Sequence, residues 1–202
     1  MMEAKELIFG TGNKAKIQQV QDALGESAIV RSVSEFGVDI EIEEDGTTAQ
    51  ENARKKAVAY AKALGRTVFA MDNALYFKGL EDKDQPGLYV RRVGGIERSS
   101  DEEMVQVYKE LIRSHGGQLE GWWEYALSIA RADGTSVEDS IISPRLFVAE
   151  ASKKIVPGYP LESIQIDPET GKYVSEMTSE EQVLFWQRSI GEPLNRFIQT
   201  NI

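Results

Sequence analysis

The chain contains no cysteine. Disulfides, thiol nucleophiles and cysteine-ligated metals are therefore excluded. A single histidine, His115, rules out multi-histidine metal sites and leaves any Ser-His-Asp triad dependent on one residue. His115 lies in Ser114-His115-Gly116-Gly117 after a helical pattern, so a helix C-cap or loop is its expected role. No apolar run approaches the roughly 20 residues of a membrane span. Met1 to Lys5 lead straight into a short strand with no leader sequence. The expectation is a cytoplasmic protein with no membrane partner. Positive charge is also scarce: 23 Lys+Arg stand against 33 Asp+Glu, a net charge of −10 over 202 residues. Gripping a long nucleic acid needs a basic face, so that partner is excluded. A small phosphate ligand is not, because a few lysines gathered in one place make a local positive field.

What is present is ordinary in bulk. Hydrophobic residues make up 41% of the chain, enough for a real core in one large domain or one domain of two lobes. Leu7-Ile8-Phe9 reads as a buried strand stopped by Gly10, and Ile17, Val20 and Leu24 recur at helical spacing up to Gly25. Asp39 to Asp45, with alternating Ile40 and Ile42, reads as a strand end running into a loop. Thr47 or Thr48 caps a helix carrying Ala53, Ala57, Tyr60, Ala61 and Leu64 on one stripe, ended by Gly65. Val68 to Met71 reads as a second buried strand with Asp72 at its carboxyl end, and Ala74 to Leu80 as another. Met104, Val105, Tyr108, Leu111 and Ile112 mark a third helix. Tyr125–Ala130 and Ser136–Ile142 flank Asp133-Gly134, a hairpin signal, and Phe147–Ala149 adds a strand. Asp167 to Gly171 is a turn. Ser179 opens a last helix perturbed by Gly191 and Pro193. The pattern is α/β with a mixed sheet and a β-rich second half, without repeats or linkers.

Three segments carry chemistry. Thr11-Gly12-Asn13-Lys14-Ala15-Lys16 joins a strand to a helix N-terminus, where backbone N–H groups and a lysine attract an anion. Glu41 to Thr47 is an acidic loop ahead of Glu51-Asn52 and Lys55-Lys56; one or two carboxylates there can hold magnesium. Asn52 and Lys56 are four apart and share a helix face. Asp72, at a strand end, suits a metal ligand or a base. Taken singly, each also reads as an ordinary connection: solvated lysines, a solvated acidic loop, a turn aspartate. Together they suit phosphoryl chemistry, in which the protein mainly positions substrate and neutralises charge. Trp122, Trp123 and Trp186 are read as core or as interface anchors.

In order and spacing these segments resemble the inosine triphosphate pyrophosphatase family, also called XTP/dITP diphosphatases. The matching residues are Thr11 to Lys16, Glu43 to Thr47, Glu51 to Ala57, Ala70 to Leu75 and Gln85 to Tyr89, within a resemblance running from Glu6 to Gly95. It implies one two-lobed domain over residues 1–202: an elongated α/β fold with a long central mixed sheet flanked by helices, an active-site cleft between the lobes, and a homodimer. It implies hydrolysis of a nucleoside triphosphate, with ITP, dITP or XTP favoured, to the monophosphate and pyrophosphate, using Mg²⁺ or Mn²⁺. Catalytic roles fall to Asp72, Lys16 and Lys56, and metal binding to Glu44 and Asp72. Substrate contacts fall to Thr11, Asn13, Lys16, Asn52, Lys56, Asn73, Tyr159, Gln187 and Arg188.

The chain departs from that pattern. The family's Asp-Asp-Ser-Gly-Leu reads Met71-Asp72-Asn73-Ala74-Leu75, losing the first carboxylate. Its Ser-Ala-Arg becomes Val90-Arg91-Arg92. The base-pocket Gly-Phe-Gly-Tyr-Asp-Pro is reduced to Pro157-Gly158-Tyr159-Pro160, without the Phe or the Asp. Glu181-Gln182 and Trp186-Gln187-Arg188 keep the arginine of the last motif and lose its lysine and histidine. These losses leave two further readings open: a nucleotide-binding protein with weakened turnover, and a pyrophosphatase for a modified nucleotide.

Overall fold

The computed structural model describes residues 5–92 and 99–202. The first four residues, and Gly95 at the far end of the family resemblance, lie outside the described residues. In order the elements are β1 (Lys5–Phe9), α1 (Lys14–Leu24), β2 (Ala28–Ser32), α2 (Ala49–Leu64), β3 (Val68–Phe77), α3 (Asp101–Ser114), β4 (Gln118–Ala130), β5 (Ser136–Val148), β6 (Gln165–Ile166), α4 (Ser179–Trp186) and α5 (Glu192–Asn201). Six strands form one sheet in the order β2-β1-β3-β4-β5-β6. β1 is parallel to β2, from Lys5 opposite Ala28 to Phe9 opposite Ser32, and parallel to β3. β5 and β6 are antiparallel, so the sheet is mixed as expected.

The chain divides into two compact units, one of Met1–Asn73, Tyr125–Ile141 and Val183–Ile202, the other of Ala74–Glu124 and Ile142–Gln182. The first packs α2 onto β1 and β3 through small residues: Ala57 and Ala61 meet Ile8, Val68 and Ala70 with no exposed surface of their own. α2 starts where the sequence indicates, with Thr48 Oγ1 accepting from the Glu51 N–H, and stops at Gly65 in the left-handed region at φ 65°. The second unit has an aromatic core. Phe77 meets Tyr108 and Phe147 at ring distances of 6.0 and 4.9 Å. α3 contributes Met104, Val105, Tyr108 and Ile112. His115 is its C-cap, as its surroundings predict.

Three stretches differ from the sequence reading. Asp39 to Asp45 forms no strand; its bunched carboxylates oppose pairing in a ladder, and Ile40 is exposed. The expected strands at Val68 and Ala74 are one, β3, and Asp72 sits inside it rather than at its end. Nothing at Asn73-Ala74 requires a left-handed residue, so the extended chain runs on. Likewise Phe147 and Val148 complete β5 instead of forming a strand of their own. The Asp133-Gly134 turn is as expected, closed by the Gly134 N–H to the Arg131 carbonyl at 2.9 Å. The last helix is broken by one π-helical turn, Gln187–Gly191.

Candidate functional site

The end of β1 feeds a loop whose polar groups hold its own shape. Gly10 N–H reaches the Phe69 carbonyl at 2.7 Å. Thr11 Oγ1 accepts from the Asn13 N–H at 3.1 Å, and Ser32 Oγ donates to the Thr11 carbonyl at 2.7 Å. Asn13 Oδ1 caps α1, accepting from Ala15 N–H at 2.9 Å and Lys16 N–H at 3.3 Å. The first-turn donors that the sequence offers to an anion are thus partly taken by Asn13 itself; its side-chain NH₂ remains as a donor.

One turn into α1, Lys16 is half-buried, with protein atoms crowded around its ammonium. Burial, and then the like charge of Lys56, lower its pKa from 10.5 to about 8, against the opposing pull of Asp72 and Glu44. No ion pair of Lys16 occurs among the described residues.

α2 supplies the counterpart. Lys56 is buried, and its ammonium donates to Asp72 Oδ1 at 2.8 Å and Glu44 Oε2 at 3.2 Å. Asp72 is reached from β3, where alternation turns Asp72 away from the side taken by Met71 and Asn73. The acidic loop is fastened to α2 at three points. Glu51 Oε2 accepts from Thr47 N–H at 2.6 Å, Lys55 pairs with Asp45, and Asn52 Oδ1 accepts from Gly46 N–H at 2.8 Å. A Cβ at Gly46 would lie 2.5 Å from that Asn52 oxygen, so only glycine fits there.

The structure therefore gathers Lys16, Lys56, Glu44 and Asp72: two positive charges and two negative. The Lys56 ammonium stands in for a cation, occupying the gap between two hard carboxylate oxygens. Among the described residues, no three His, Asp or Glu side chains gather as a ready-made metal cage. That donor set fits magnesium, which takes one or two carboxylates and completes its shell with water and phosphate.

The remaining expected residues are placed differently. Thr11 and Asn13 frame the loop. Asn52 shares the buried face of α2 with Lys56, but its oxygen holds Gly46. Asn73 follows Asp72 with its Oδ1 buried and lacking a hydrogen bond. Gln187 lies beside Gly25, its Nε2 3.1 Å from where a Cβ would stand. That is the far end of α1 from Lys16, roughly 13 Å along the helix, and Arg188 follows it, exposed, in the same π-helical turn. Tyr159 belongs to the other unit, on a segment clasped at Gly158. There the Arg91 guanidinium donates to the Gly158 carbonyl at 3.2 Å and pairs with Asp101 at 2.9 Å, while Asp101 accepts from the Gly158 N–H at 3.1 Å.

Trp123 donates to Gln165 Oε1, and Trp186 is buried against Phe185, which favours packing for both. Trp122 stacks on Tyr76 and lines two surface hollows of about 400 and 430 Å³ in the second unit. None of the expected site residues lines either hollow.

Sequence reasoning missed two features and gave a third, Tyr60, a place only on the stripe of α2. Ser32 ties the phosphate-type loop to β2, Gly46 locks with Asn52, and Tyr60 stands one turn beyond Lys56. Only the last had a signal, the spacing of four from Lys56.

A model of the Ham1 family matches residues 7–188. A dITP/XTP pyrophosphatase of Bacillus subtilis is 31% identical over 185 residues, covering 90% of each chain. One of Halalkalibacterium halodurans is 27% identical over 179 residues, covering 88% of this chain and 90% of that one. Among solved structures, the Ham1 protein of Staphylococcus aureus has a TM-score of 0.70 at 24% identity, over 98% of this chain and all of the other. A HAM1 protein of Coxiella burnetii reaches 0.74 at 20% identity, over 97% and 99%. These two structures share the fold described above.

Proposed function

The chain belongs to the Ham1 family, and from that premise we propose that it hydrolyses a nucleoside triphosphate to the monophosphate and pyrophosphate, favouring non-standard purines such as dITP, ITP and XTP. The relatives named dITP/XTP pyrophosphatase support the reaction class and the substrate. The observation that carries the reading is the buried Lys56–Asp72 pair, with Glu44 and Lys16 around it. A purely structural pair has no reason to collect a second lysine, whose like charge opposes that of Lys56.

Lys16 and Lys56 receive the triphosphate. Each ammonium has three donors, and Lys56 uses two on the carboxylates, leaving one for phosphate. Lys16, with no ion pair, turns its full charge to the ligand, and a bound anion raises its pKa again. Water oxygen bonds to the α phosphorus while the bond from that phosphorus to the bridging oxygen breaks. Asp72 takes the proton from the attacking water. Pyrophosphate leaves with its added charge balanced by the two lysines. Glu44 and Asp72 would hold the divalent ion, magnesium or manganese, which when bound neutralises phosphate charge and favours attack by water. Asn13, three residues before Lys16, presents its amide at the N-cap of the same helix and completes the substrate contacts. The reading takes residues 1–202 as one domain acting as a homodimer in the cytoplasm.

A second reading has one observation in its favour. Met71, in the place of a family carboxylate, is only 2% exposed, so the chain binds nucleotide with one acid fewer and turns it over weakly. Pyrophosphate release from a panel of standard, inosine, xanthosine, deoxy and modified triphosphates with Mg²⁺ separates the two. Release that depends on Asp72 supports hydrolysis; binding without release supports the second reading.

A further inference from the structure

Tyr60 is the residue near the charged cluster to which neither the fold nor the reaction above gives a task. It follows Lys56 by one helical turn on α2, so the two side chains are neighbours on one face. Its ring lies on the loop that follows β1: a Cβ at Gly10 would stand 3.0 Å from Tyr60 Cδ2. The ring also packs against the small-residue core of the first unit. The residue is half-buried, and its hydroxyl makes no hydrogen bond to any described residue. The charges that act on that hydroxyl are Asp39, Lys56 and Glu44. Burial and the two carboxylates keep the phenol protonated, so it is a donor across the working pH range.

A phenylalanine would serve the packing equally well. What tyrosine adds is one O–H, partly withdrawn from water, within electrostatic reach of Lys56 and Glu44 and without a protein acceptor among the described residues. We propose that Tyr60 is a further substrate-binding residue, donating from its hydroxyl to an oxygen of the polyphosphate chain that Lys16 and Lys56 neutralise. The ligand chemistry is a di- or triphosphate; the base plays no part in this contact. The inference rests on the phosphate-binding half of the function proposed above.

The test is calorimetric binding of inorganic tripolyphosphate, with Mg²⁺, to the full chain and to Tyr60→Phe. The substitution keeps the ring on Gly10, which unchanged circular dichroism and melting temperature confirm. The affinity is expected to fall roughly tenfold, the effect of one hydrogen bond to a charged group. KM for a nucleoside triphosphate should rise by a similar factor, with kcat within about threefold. Equal affinity of the two proteins within twofold overturns the proposal, as does a wild type that binds no tripolyphosphate. A protein that releases no pyrophosphate from any nucleotide, yet loses tripolyphosphate affinity on Tyr60→Phe, would sink the hydrolase reading and keep this one.

Discussion

In one compact unit Lys56 and Asp72 are buried against each other, with Glu44 and Lys16 adjoining; in the other, Glu162 is buried with one carboxylate oxygen that meets no donor. The first arrangement is a balanced set of charges approached by two helices and a strand. The second is an acid at 6% exposure, whose pKa burial pushes up to about 7, against a weaker opposing pull from Arg145 and Lys154. Burial of charge is common to both, so burial alone does not mark a site. A set of opposite charges converging from separate elements is the stronger indication, because such charges offset one another and can also engage a phosphate. A buried carboxyl left with one oxygen unmet lowers stability near neutral pH.

The comparison can be broken by substitution. Asp72→Asn is expected to lower pyrophosphate release by about a thousandfold or more, since in the proposed reaction it removes both the base and a cation ligand. Release at wild-type rate would put the chemistry elsewhere. Lys56→Met comes next, at about a hundredfold in kcat/KM, with a loss of about 3 kcal/mol in chemical denaturation as Asp72 is left without its partner.

Glu162→Gln should act oppositely, leaving turnover unchanged and stabilising the protein by about 2 kcal/mol at pH 8. The sign follows from the raised pKa. Folded Glu162 keeps its proton up to about pH 7, whereas an unfolded glutamate releases it near 4.5. Its contribution therefore falls as pH rises between those values, and the gain from glutamine should vanish at pH 4. Denaturation midpoints at the two pH values check this. The smallest effect is at Lys16, whose ammonium is lost as pH rises through about 8. KM should climb about tenfold from pH 7 to 9.5 with the loss of one charged contact, and Lys16→Met should flatten the climb.

Legibility in the sequence cut across the two units and depended on how locally each feature is determined. The caps at Thr48 and Gly65, the alanine stripe of α2 and the His115 terminus were readable because each is fixed by residues within one turn of helix. Lys16, Glu44, Lys56 and Asp72 were readable because charged residues flank short apolar segments in a recognisable order. The continuity of β3 was not, since Asp72-Asn73 reads locally as a turn and only pairing with neighbouring strands keeps it extended. Nor was the Arg91–Asp101–Gly158 clasp, whose three members come from separate stretches of chain and make contact only after folding. The Gly46–Asn52 lock was hidden by a different fact. A glycine's reason here is the space another side chain occupies, and the sequence records no space.

The position of Lys56 between Glu44 and Asp72 also bears on how the molecule is made. Many metal sites leave a nascent chain with repelling acids until an ion arrives, so that completion waits on supply. Here the chain brings its own counter-ion, delivered by the helix that also carries the loop anchor Asn52. Maturation can then run to its end on a ribosome-fresh polypeptide, and the divalent ion proposed above would join later, as a companion of the substrate.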